Sequence, residues 1–530
     1  MGIGMYQSAL SVFPSMADEE ERKTKKGRAT PPDGLLFPHV IEAVATSLDT
    51  RDGFAAFLDA VPRSLWTPAL TAFVDVCSLA PSYVYSDWPH LMLTETADLP
   101  HEVLPMLVKT LPLRLCIDVE CEIYEAAPLV QLVPSIGPAL SYISLVFNDT
   151  IMVDGQGQTI ANLLLEQCPC LRELLVDVAA SRNNNHNADE RVELSNLLAA
   201  VAHPRVEQLS VSLLDAHATP RLGHYLASWL STAPTTGLSL RDVAHMDDDA
   251  AIAFCDALQA NTTLTELSLH RVVNILGFRG RTLPPSLDRF EFDARFHNLD
   301  VNDATIEHLA IAVGATKLEH FGCSVFGRVA QCPAAAPMLA QLQSLEVHGL
   351  RADGVEALVA GLSTVPALIS LVLGKSAMAS EDAAVQLMDA LATSCTHLTH
   401  LNLNEHGMRR DGVAAVLAAT PRLPQLTSLD VSPSHDRMKL HELLCVLMEL
   451  VAAGRHVQEL SFQTIKSQNG RRATLVDSKE DKRAVLRALA MIQDVPFVVD
   501  RFPVDVEPHV VEALGATADR AERCTLNLYF

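Results

Sequence analysis

The sequence predicts an α/β solenoid in which short parallel strands line the inside and helices return along the outside. Three observations predict it. A segment of the form Leu-x-x-Leu-x-Leu recurs along the chain, and a stretch rich in Ala and Leu with helical periodicity follows each copy. Hydrophobic residues make up 49% of the 530 residues but aromatic ones only 5%, which favours a core built from many equivalent aliphatic positions.

The repeated segment is predicted to form the strands. Its alternating leucines turn to one face of an extended chain, so that face is buried and the other is exposed. Twelve copies begin between residues 140 and 457, at a mean spacing of about 29 residues. The clear copies are LTELSL from Leu264, LQSLEV ending at Val347, LISLVL from Leu368, LTHLNL from Leu398 and LTSLDV from Leu426. The weaker copies begin at Leu140, Leu171, Val206, about Thr235, Leu287, Leu318 and Val457.

Helices are predicted between the strands. The clearest begin at Asp248, Asp353, Glu381 and Asp411, and in each the apolar residues recur every three or four positions. An acidic residue opens each first turn, where it meets the positive end of the helix dipole. The return path of each repeat is therefore helical.

This alternation resembles the ribonuclease-inhibitor-like class of leucine-rich repeats over residues 135–465. The resemblance implies a leucine-rich-repeat solenoid with strand inside and helix outside. That family usually carries Asn or Cys three residues after the last strand leucine. The column here reads Val272, Leu350, Ser376, His406 and Ser434. An irregular, variably curved solenoid is therefore expected, and an ordinary α/β domain is the alternative.

The N-terminal part is predicted to be a disordered tail over residues 1–34, followed by a helical region over 35–134. The tail contains a basic run, Arg22–Arg28, which we interpret as solvated. The helical region begins Leu36-Phe37-Pro38 and continues through an amphipathic segment, with Trp88 further on. Residues 466–530 are predicted to be a C-terminal cap with a flexible charged stretch.

The order of these helical residues resembles an F-box. The resemblance implies docking on a ubiquitin-ligase adaptor subunit through Leu36, Pro38, Val40, Ile41 and Leu48. It departs from the family at Ala60-Val61-Pro62-Arg63, where a Val-Cys-Arg-Trp-like segment is usual. The alternative is that this region only caps the open end of the solenoid.

Charge and composition exclude several classes of protein. A formal charge of -24 argues against a nucleic-acid partner, because phosphate binding needs clustered Lys and Arg. No apolar stretch is long enough to span a bilayer, and no secretory signal is recognisable, so we expect no membrane association and a cytoplasmic location, with the nucleus as the alternative. The 11 scattered cysteines predict free thiols.

No motif in the sequence carries catalysis. The pairs Cys116/Cys121 and Cys168/Cys170 lack the spacing of a zinc site, and HELLC from His441 lacks the second histidine of a zinc-protease helix. A phosphate-cradling glycine loop is also missing from the sequence. We therefore expect a protein that is not an enzyme and that needs no metal or cofactor.

Binding is expected on the concave face of the strands, where the residues between the buried leucines point outward. The predicted contact residues are Glu266, Ser268, His270, Arg289, Glu291, Asp293, Glu346, His348, His400, Asn402, Asn404, Asp430 and Glu459. Their acidic excess predicts a basic or polar protein target. The hypothesis is a substrate-recognition subunit of a cullin-type ubiquitin ligase, and the alternative is a non-catalytic scaffold. A GTPase activator on the same repeat class would need a positioned Arg or Asn that the sequence does not identify.

Overall fold

The computed structural model divides the chain into two compact units. Unit 1 comprises residues 1–235 and 242–250, and unit 2 comprises residues 236–241 and 251–530. The structure describes residues 37–80, 84–94, 99–123, 126–147, 156–178, 194–199, 205–213, 221–243, 246–272, 275–293, 301–349, 354–374, 381–403, 408–432, 446–463, 486–490, 497–499, 509 and 524–529.

Unit 1 contains six strands that pair in chain order. The first two form an antiparallel pair, and each later strand adds in parallel to the one before it. The strands are β1 (Val84–Asp87), β2 (His90–Leu93), β3 (Cys116–Ile123), β4 (Leu140–Phe147), β5 (Glu173–Val178) and β6 (Gln208–Leu213).

Unit 2 contains a longer parallel sheet. Its strands also pair in chain order up to β15, which pairs with the last strand, β17, while β16 pairs with the other side of β17. The strands are β7 (Gly237–Arg241), β8 (Glu266–His270), β9 (Arg289–Asp293), β10 (His320–Cys323), β11 (Ser344–His348), β12 (Ser370–Gly374), β13 (His400–Asn402), β14 (Ser428–Asp430), β15 (Glu459–Gln463), β16 (Phe497–Val499) and β17 (Cys524–Tyr529).

Helices alternate with these strands, as parallel pairing requires. In unit 1 they are Pro38–Thr46, Arg51–Ala60, Pro68–Leu79, Val103–Thr110, Ala126–Ile136, Gln156–Gln167, 194–199 and Leu222–Thr232. Asp248–Ala260 contains residues of both units. In unit 2 they are Asp303–Gly314, Phe326–Val329, Ala336–Leu339, Gly354–Leu362, Glu381–Ser394, Arg410–Ala419, Leu447–Ala453 and 486–490. Within the described ranges, none of the helices has the length and apolar character needed to cross a membrane.

The core of unit 2 includes a row of buried side chains, one from each of the eight strands β8 to β15. Register places these side chains opposite one another, and each is at most 1% exposed. The row consists of Leu267, Phe290, Phe321, Leu345, Leu371, Leu401, Leu429 and Leu460. Phe290 and Phe321 stack with their ring centroids 5.8 Å apart. Burying each of these side chains stabilises the fold by about 2 kcal/mol, so the row is a major part of the core.

An aromatic cluster holds the N-terminal helices of unit 1 against the start of its sheet. The Trp88 ring stacks on Phe54 at 3.7 Å between centroids and meets Phe73 edge-on at 5.3 Å. Its indole N–H donates to the backbone oxygen of Leu48 over 2.8 Å. Because Trp88 lies two residues before His90, the first residue of β2, these helices are packed onto the first strand of the parallel sheet.

The fold class predicted from the sequence is confirmed. Each of the twelve predicted copies contains a strand, and the four quoted helices are present. The parallel strands begin earlier than the predicted repeat limit of 135, because β2 and β3 already pair in parallel at residues 90–93 and 116–119. Of the five positions where the family usually has Asn or Cys, the structure describes only Val272. This side chain is 5% exposed and therefore packs in the core. The other four positions lie outside the described residues.

Candidate functional site

The exposed face of the unit 2 sheet carries its polar side chains in rows across the strands. We call this surface, from β8 to β15, the strand face. Strand register aligns Glu266, Arg289, His320, Ser344, Ser370, His400, Ser428 and Glu459 in one row. A second row contains Ser268, Glu291, Gly322, Glu346, Val372, Asn402, Asp430 and Ser461. The rows follow from the sequence because side chains alternate along each strand.

Glu291 is the centre of a hydrogen-bonded cluster on this face. One of its carboxylate oxygens accepts two N–H groups of Arg289, over 2.8 and 3.1 Å. The other accepts the hydroxyl of Ser268 over 3.2 Å and lies 3.4 Å from Nε2 of His270. Nδ1 of the same ring lies 4.0 Å from a carboxylate oxygen of Asp293. Two cationic side chains therefore neutralise part of the acidic excess of the strand face.

These contacts shift the pKa values of the paired groups in opposite directions. The nearby carboxylates of Asp293, and secondly of Glu291, raise the pKa of His270 to about 9, against the effects of burial and of Arg241. Hydrogen bonding to His270, and secondly to Arg289, lowers the pKa of Glu291 to about 2. At neutral pH the imidazole is therefore a cation and Glu291 an anion.

A contact between a histidine and a carboxylate lies on β11. Nε2 of His348 contacts a carboxylate oxygen of Glu346, and both side chains are at least 30% exposed. A methyl group added at Gly374, the register partner of His348 on β12, would lie 2.3 Å from Nδ1 of the ring. The glycine therefore provides the space in which the ring lies.

Asp430, the last residue of β14, accepts hydrogen bonds from Ser432, two residues further along the chain. Its Oδ1 accepts the backbone N–H of Ser432 over 2.9 Å and also the Ser432 hydroxyl. Burial raises the pKa of Asp430, the neighbouring Glu459 raises it further, and the Ser432 hydrogen bonds oppose both effects. Ser432 itself is fully buried, whereas the alternation of side chains in the sequence predicts that it is exposed. The carboxylate of Asp430 is therefore less accessible to a partner than the sequence suggests.

The structure brings most of the predicted contact residues onto one surface. Glu266, Ser268, His270, Arg289, Glu291, Asp293, Glu346, His348, His400, Asn402, Asp430 and Glu459 all lie on the strand face. Asn404 lies outside the described residues. The predicted contact residues did not include His320 and Gly322 on β10, although the repeat copy that begins at Leu318 was itself predicted. A Cβ at Gly322 would lie 3.0 Å from Cγ of Glu291, so this position also shapes the cluster.

The predicted adaptor-binding residues have different environments. Pro38 is exposed, Val40 and Leu48 are half-buried, and Ile41 is only 4% exposed. Leu36 lies outside the described residues. Ile41 therefore packs inside the helical region. The apolar surface near Pro38 is formed instead by Phe37 and Val44, which are 56% and 37% exposed.

The thiols of the described residues are mostly in the core. Burial raises the pKa of Cys168, Cys323 and Cys524 to about 12 and that of Cys255 and Cys395 to about 11. A thiol with so high a pKa is protonated at neutral pH and is a poor nucleophile. No group of three or more metal-ligating side chains occurs among the residues with described positions.

Parallel strands with buried inner side chains and helical returns give each unit the fold of a leucine-rich-repeat solenoid. No known family model matches the chain, and no curated protein matches it. A chain from the solved crystal structure of the Rad7 and Elc1 complex in yeast is 15% identical in sequence, with a TM-score of 0.40. That match covers 79% of this chain and 94% of the other one. So low a similarity carries no functional argument, and the fold rests on the strands, register and core described above.

Proposed function

We propose that the chain is a protein-interaction module that binds a basic or polar segment of a partner protein on the strand face of unit 2. The observation that carries this proposal is the register between the neighbouring strands that form this face. Each strand adds its polar side chains to the same rows, while the alternate side chains of that strand form the core. A surface of this kind presents many weak, directional contacts to an extended partner.

Electrostatics favours a basic partner. Between β8 and β11 the face carries four carboxylates, from Glu266, Glu291, Asp293 and Glu346. Arg289 and protonated His270 oppose them, which leaves a negative surface. Glu266 is exposed and Glu346 is 30% exposed, so these two are open to a partner. Attraction to such a surface speeds association and weakens with salt. The chain acts by binding and supplies no catalytic residue.

Charge reversal tests this surface. We expect the double variant Glu266→Lys and Glu346→Lys to capture its partner about thirtyfold less well, because each of the two reversed contacts costs on the order of 1 kcal/mol. The measurement is affinity purification of the tagged full chain followed by quantitative mass spectrometry of the captured proteins.

A matched control distinguishes the strand face from net charge. The double variant Glu307→Lys and Glu356→Lys makes the same change on exposed positions of two unit 2 helices. It should capture partners as the unaltered chain does. Equal capture by both double variants and the unaltered chain would exclude the strand face as the binding surface.

A second candidate function is the substrate-recognition subunit of a cullin-type ubiquitin ligase, with the N-terminal helices docking on an adaptor subunit. The observation that favours it is the exposure of Phe37, Pro38 and Val44, which lie just before or within the first helix, Pro38–Thr46. Exposed large apolar side chains of this kind are candidates for contact with a partner. The alternative is a scaffold whose helices only cap the sheet.

Point substitutions distinguish the ligase subunit from the scaffold better than deletion of the N-terminal helices does. Deleting residues 35–90 would remove Trp88 and the aromatic cluster of unit 1. The double variant Phe37→Asp and Val44→Asp instead changes only exposed positions, and Leu79→Asp, at a position that is 60% exposed, is its control. The ligase function predicts that an adaptor subunit co-purifies with the unaltered chain and the control but not with the double variant. It is wrong if no adaptor co-purifies with the unaltered chain.

A further inference from the structure

A groove of about 910 Å³ runs along the edge of the unit 1 sheet where β2 to β6 begin. Its polar lining comes from successive strands. Asp118 of β3, Tyr142 of β4 and Glu173 of β5 are register partners, so their side chains lie side by side. His90 and Gln208, the first residues of β2 and β6, extend the lining at the two ends. This surface belongs to unit 1 and has no residue in common with the strand face.

Some of the charges in the groove are paired with one another. Asp118 accepts the hydroxyl of Ser141 over 2.6 Å and lies 2.9 Å from Nδ1 of His90. Arg172 lies 3.8 Å from a carboxylate oxygen of Glu207. Arg114 also lines the groove, so its four carboxylates face two Arg side chains and its net charge is negative.

Glu120 carries the charge that is least compensated. It has no hydrogen-bond or ion-pair partner among the described residues, and it lies two positions after Asp118 on the same face of β3. Burial, and secondly repulsion by Asp118, raise the pKa of Glu120. A cation brought to this position would therefore be stabilised by two carboxylates.

Tyr142 supplies a flat surface between the carboxylates. Its ring is half-buried, and burial and Glu173 raise its pKa, so the phenol stays neutral. Strands lie about 4.8 Å apart, which puts a carboxylate within reach on either side of the ring. An aromatic face flanked by carboxylates is an arrangement that holds a Lys or Arg side chain, through cation–π and ion-pair contacts together.

A basic segment near the N-terminus has a charge opposite to that of the groove. Residues Arg22–Arg28, RKTKKGR, carry five Lys and Arg and no acidic residue, in a protein of net charge -24. From Phe37 to His90, by way of the Leu48–Trp88 hydrogen bond, the path is at most on the order of 35 Å. The nine residues from Arg28 to Phe37 span about 30 Å when extended, and the basic run adds about 20 Å. The run can therefore reach the groove.

We propose that the basic segment Arg22–Arg28 of this chain binds the groove lined by Asp118, Glu120, Tyr142 and Glu173. Bound there, the segment shields the groove from basic segments of other proteins. Tethering gives it an effective concentration on the order of 1 mM. With an intrinsic Kd of about 0.1 mM, it would weaken binding of an external basic peptide about tenfold.

The test compares full-length chains with a peptide probe. The probe is a fluorescent synthetic peptide with the sequence of residues 22–32, RKTKKGRATPP, and its binding is followed by fluorescence anisotropy at about 50 mM salt. The tail variant replaces Arg22, Lys23, Lys25, Lys26 and Arg28 by Gln. We expect the probe to bind this variant about tenfold more tightly than the unaltered chain.

A second change identifies the groove as the site. Adding Glu120→Gln and Glu173→Gln to the tail variant should weaken probe binding about tenfold, whereas adding Glu102→Gln and Glu166→Gln, at exposed positions outside the groove, should leave it unchanged.

Two results would overturn the proposal. One is equal probe affinity for the tail variant and the unaltered chain, which would mean that the segment does not occupy the site that the probe binds. The other is probe binding that is insensitive to the groove substitutions, which would place the basic segment elsewhere. Both results leave the strand-face proposal untouched, because neither involves Glu266 or Glu346.

Discussion

Replacing Glu291 by Gln tests the charged cluster on the strand face. The substitution keeps the size of the side chain but removes the negative charge that His270 and Arg289 share. Because Asp293 is the larger cause of the His270 shift, the pKa of His270 should fall from about 9 toward its ordinary 6.5 without reaching it. Asp293→Asn should lower the pKa of His270 further than Glu291→Gln does.

The structure also gives the magnitude of the stability loss. A rise in pKa from 6.5 to about 9 corresponds to roughly 3 kcal/mol of interaction with the charged imidazole. Asp293 contributes the larger share, and solvent screens the Arg289 contact because that side chain is 46% exposed. We therefore expect Glu291→Gln to lower the free energy of unfolding by about 1 kcal/mol at pH 6.

This loss should depend on pH in a definite direction. His270 has a raised pKa in the folded state, so its contribution is complete below pH 6.5 and is lost as the pH rises through about 9. Glu291 has a lowered pKa, so its contribution is complete above pH 4.5 and is lost as the pH falls through about 2. The difference between the unaltered chain and Glu291→Gln should therefore be largest between about pH 4.5 and 6.5.

Nuclear magnetic resonance titration of the His270 ring measures its pKa directly, and urea denaturation at several pH values measures the stability difference. A His270 pKa near 6.5 in the unaltered chain would refute the geometry of the cluster. So would an unchanged His270 pKa in Glu291→Gln.

Three further substitutions test the packing, each measured by urea denaturation. Leu371→Ala in the buried row should cost about 2–5 kcal/mol, whereas its neighbour Ser370→Ala on the exposed face should cost less than about 0.5; equal losses would contradict the assigned faces. Gly314→Ala should destabilise by more than about 2 kcal/mol, because the new methyl group would lie 1.9 Å from a backbone carbonyl oxygen, and an unchanged midpoint would show that this close approach is absent. Trp88→Phe should cost about 1–3 kcal/mol, since the oxygen of Leu48 loses its donor while the ring contacts remain, and a neutral effect would exclude that hydrogen bond.

The strands of the repeat could be predicted from the sequence because each needs only local information. Two leucines separated by one residue turn to the same face wherever they occur, and a period of about 29 residues identifies the set. The strand β3 was not predicted, although Leu115, just before it, and Ile117 and Val119, within it, alternate with polar or smaller residues. Its sequence lacks the earlier leucine of the repeat pattern, so a search for the pattern alone overlooks it.

The composition of the candidate site could be predicted, but its electrostatics could not. Alternation places Glu291 and His270 on the exposed face, but their pairing depends on the register between β8 and β9. Register is a long-range property, and a shift of one residue would separate the two side chains. The same holds for Gly374, whose role depends on the position of His348 across the strand pair. The groove of unit 1 was missed for this reason too, since its lining comes from five strands.

The pairing within the strand face decides how a basic partner can bind there. A partner that approached Glu291 would have to displace Arg289 and His270, or bind beside them at the cost of repulsion from two cations. Glu266 is exposed, whereas Glu346 contacts His348 and is 30% exposed, so a contact with a partner costs least at Glu266 and requires only His348 to move at Glu346. Raising the pH through about 9 removes the charge of His270 and makes the face more negative. An Arg-rich partner, which keeps its own charge at that pH, should then bind more tightly, whereas the folded state of unit 2 loses the stability that His270 contributes.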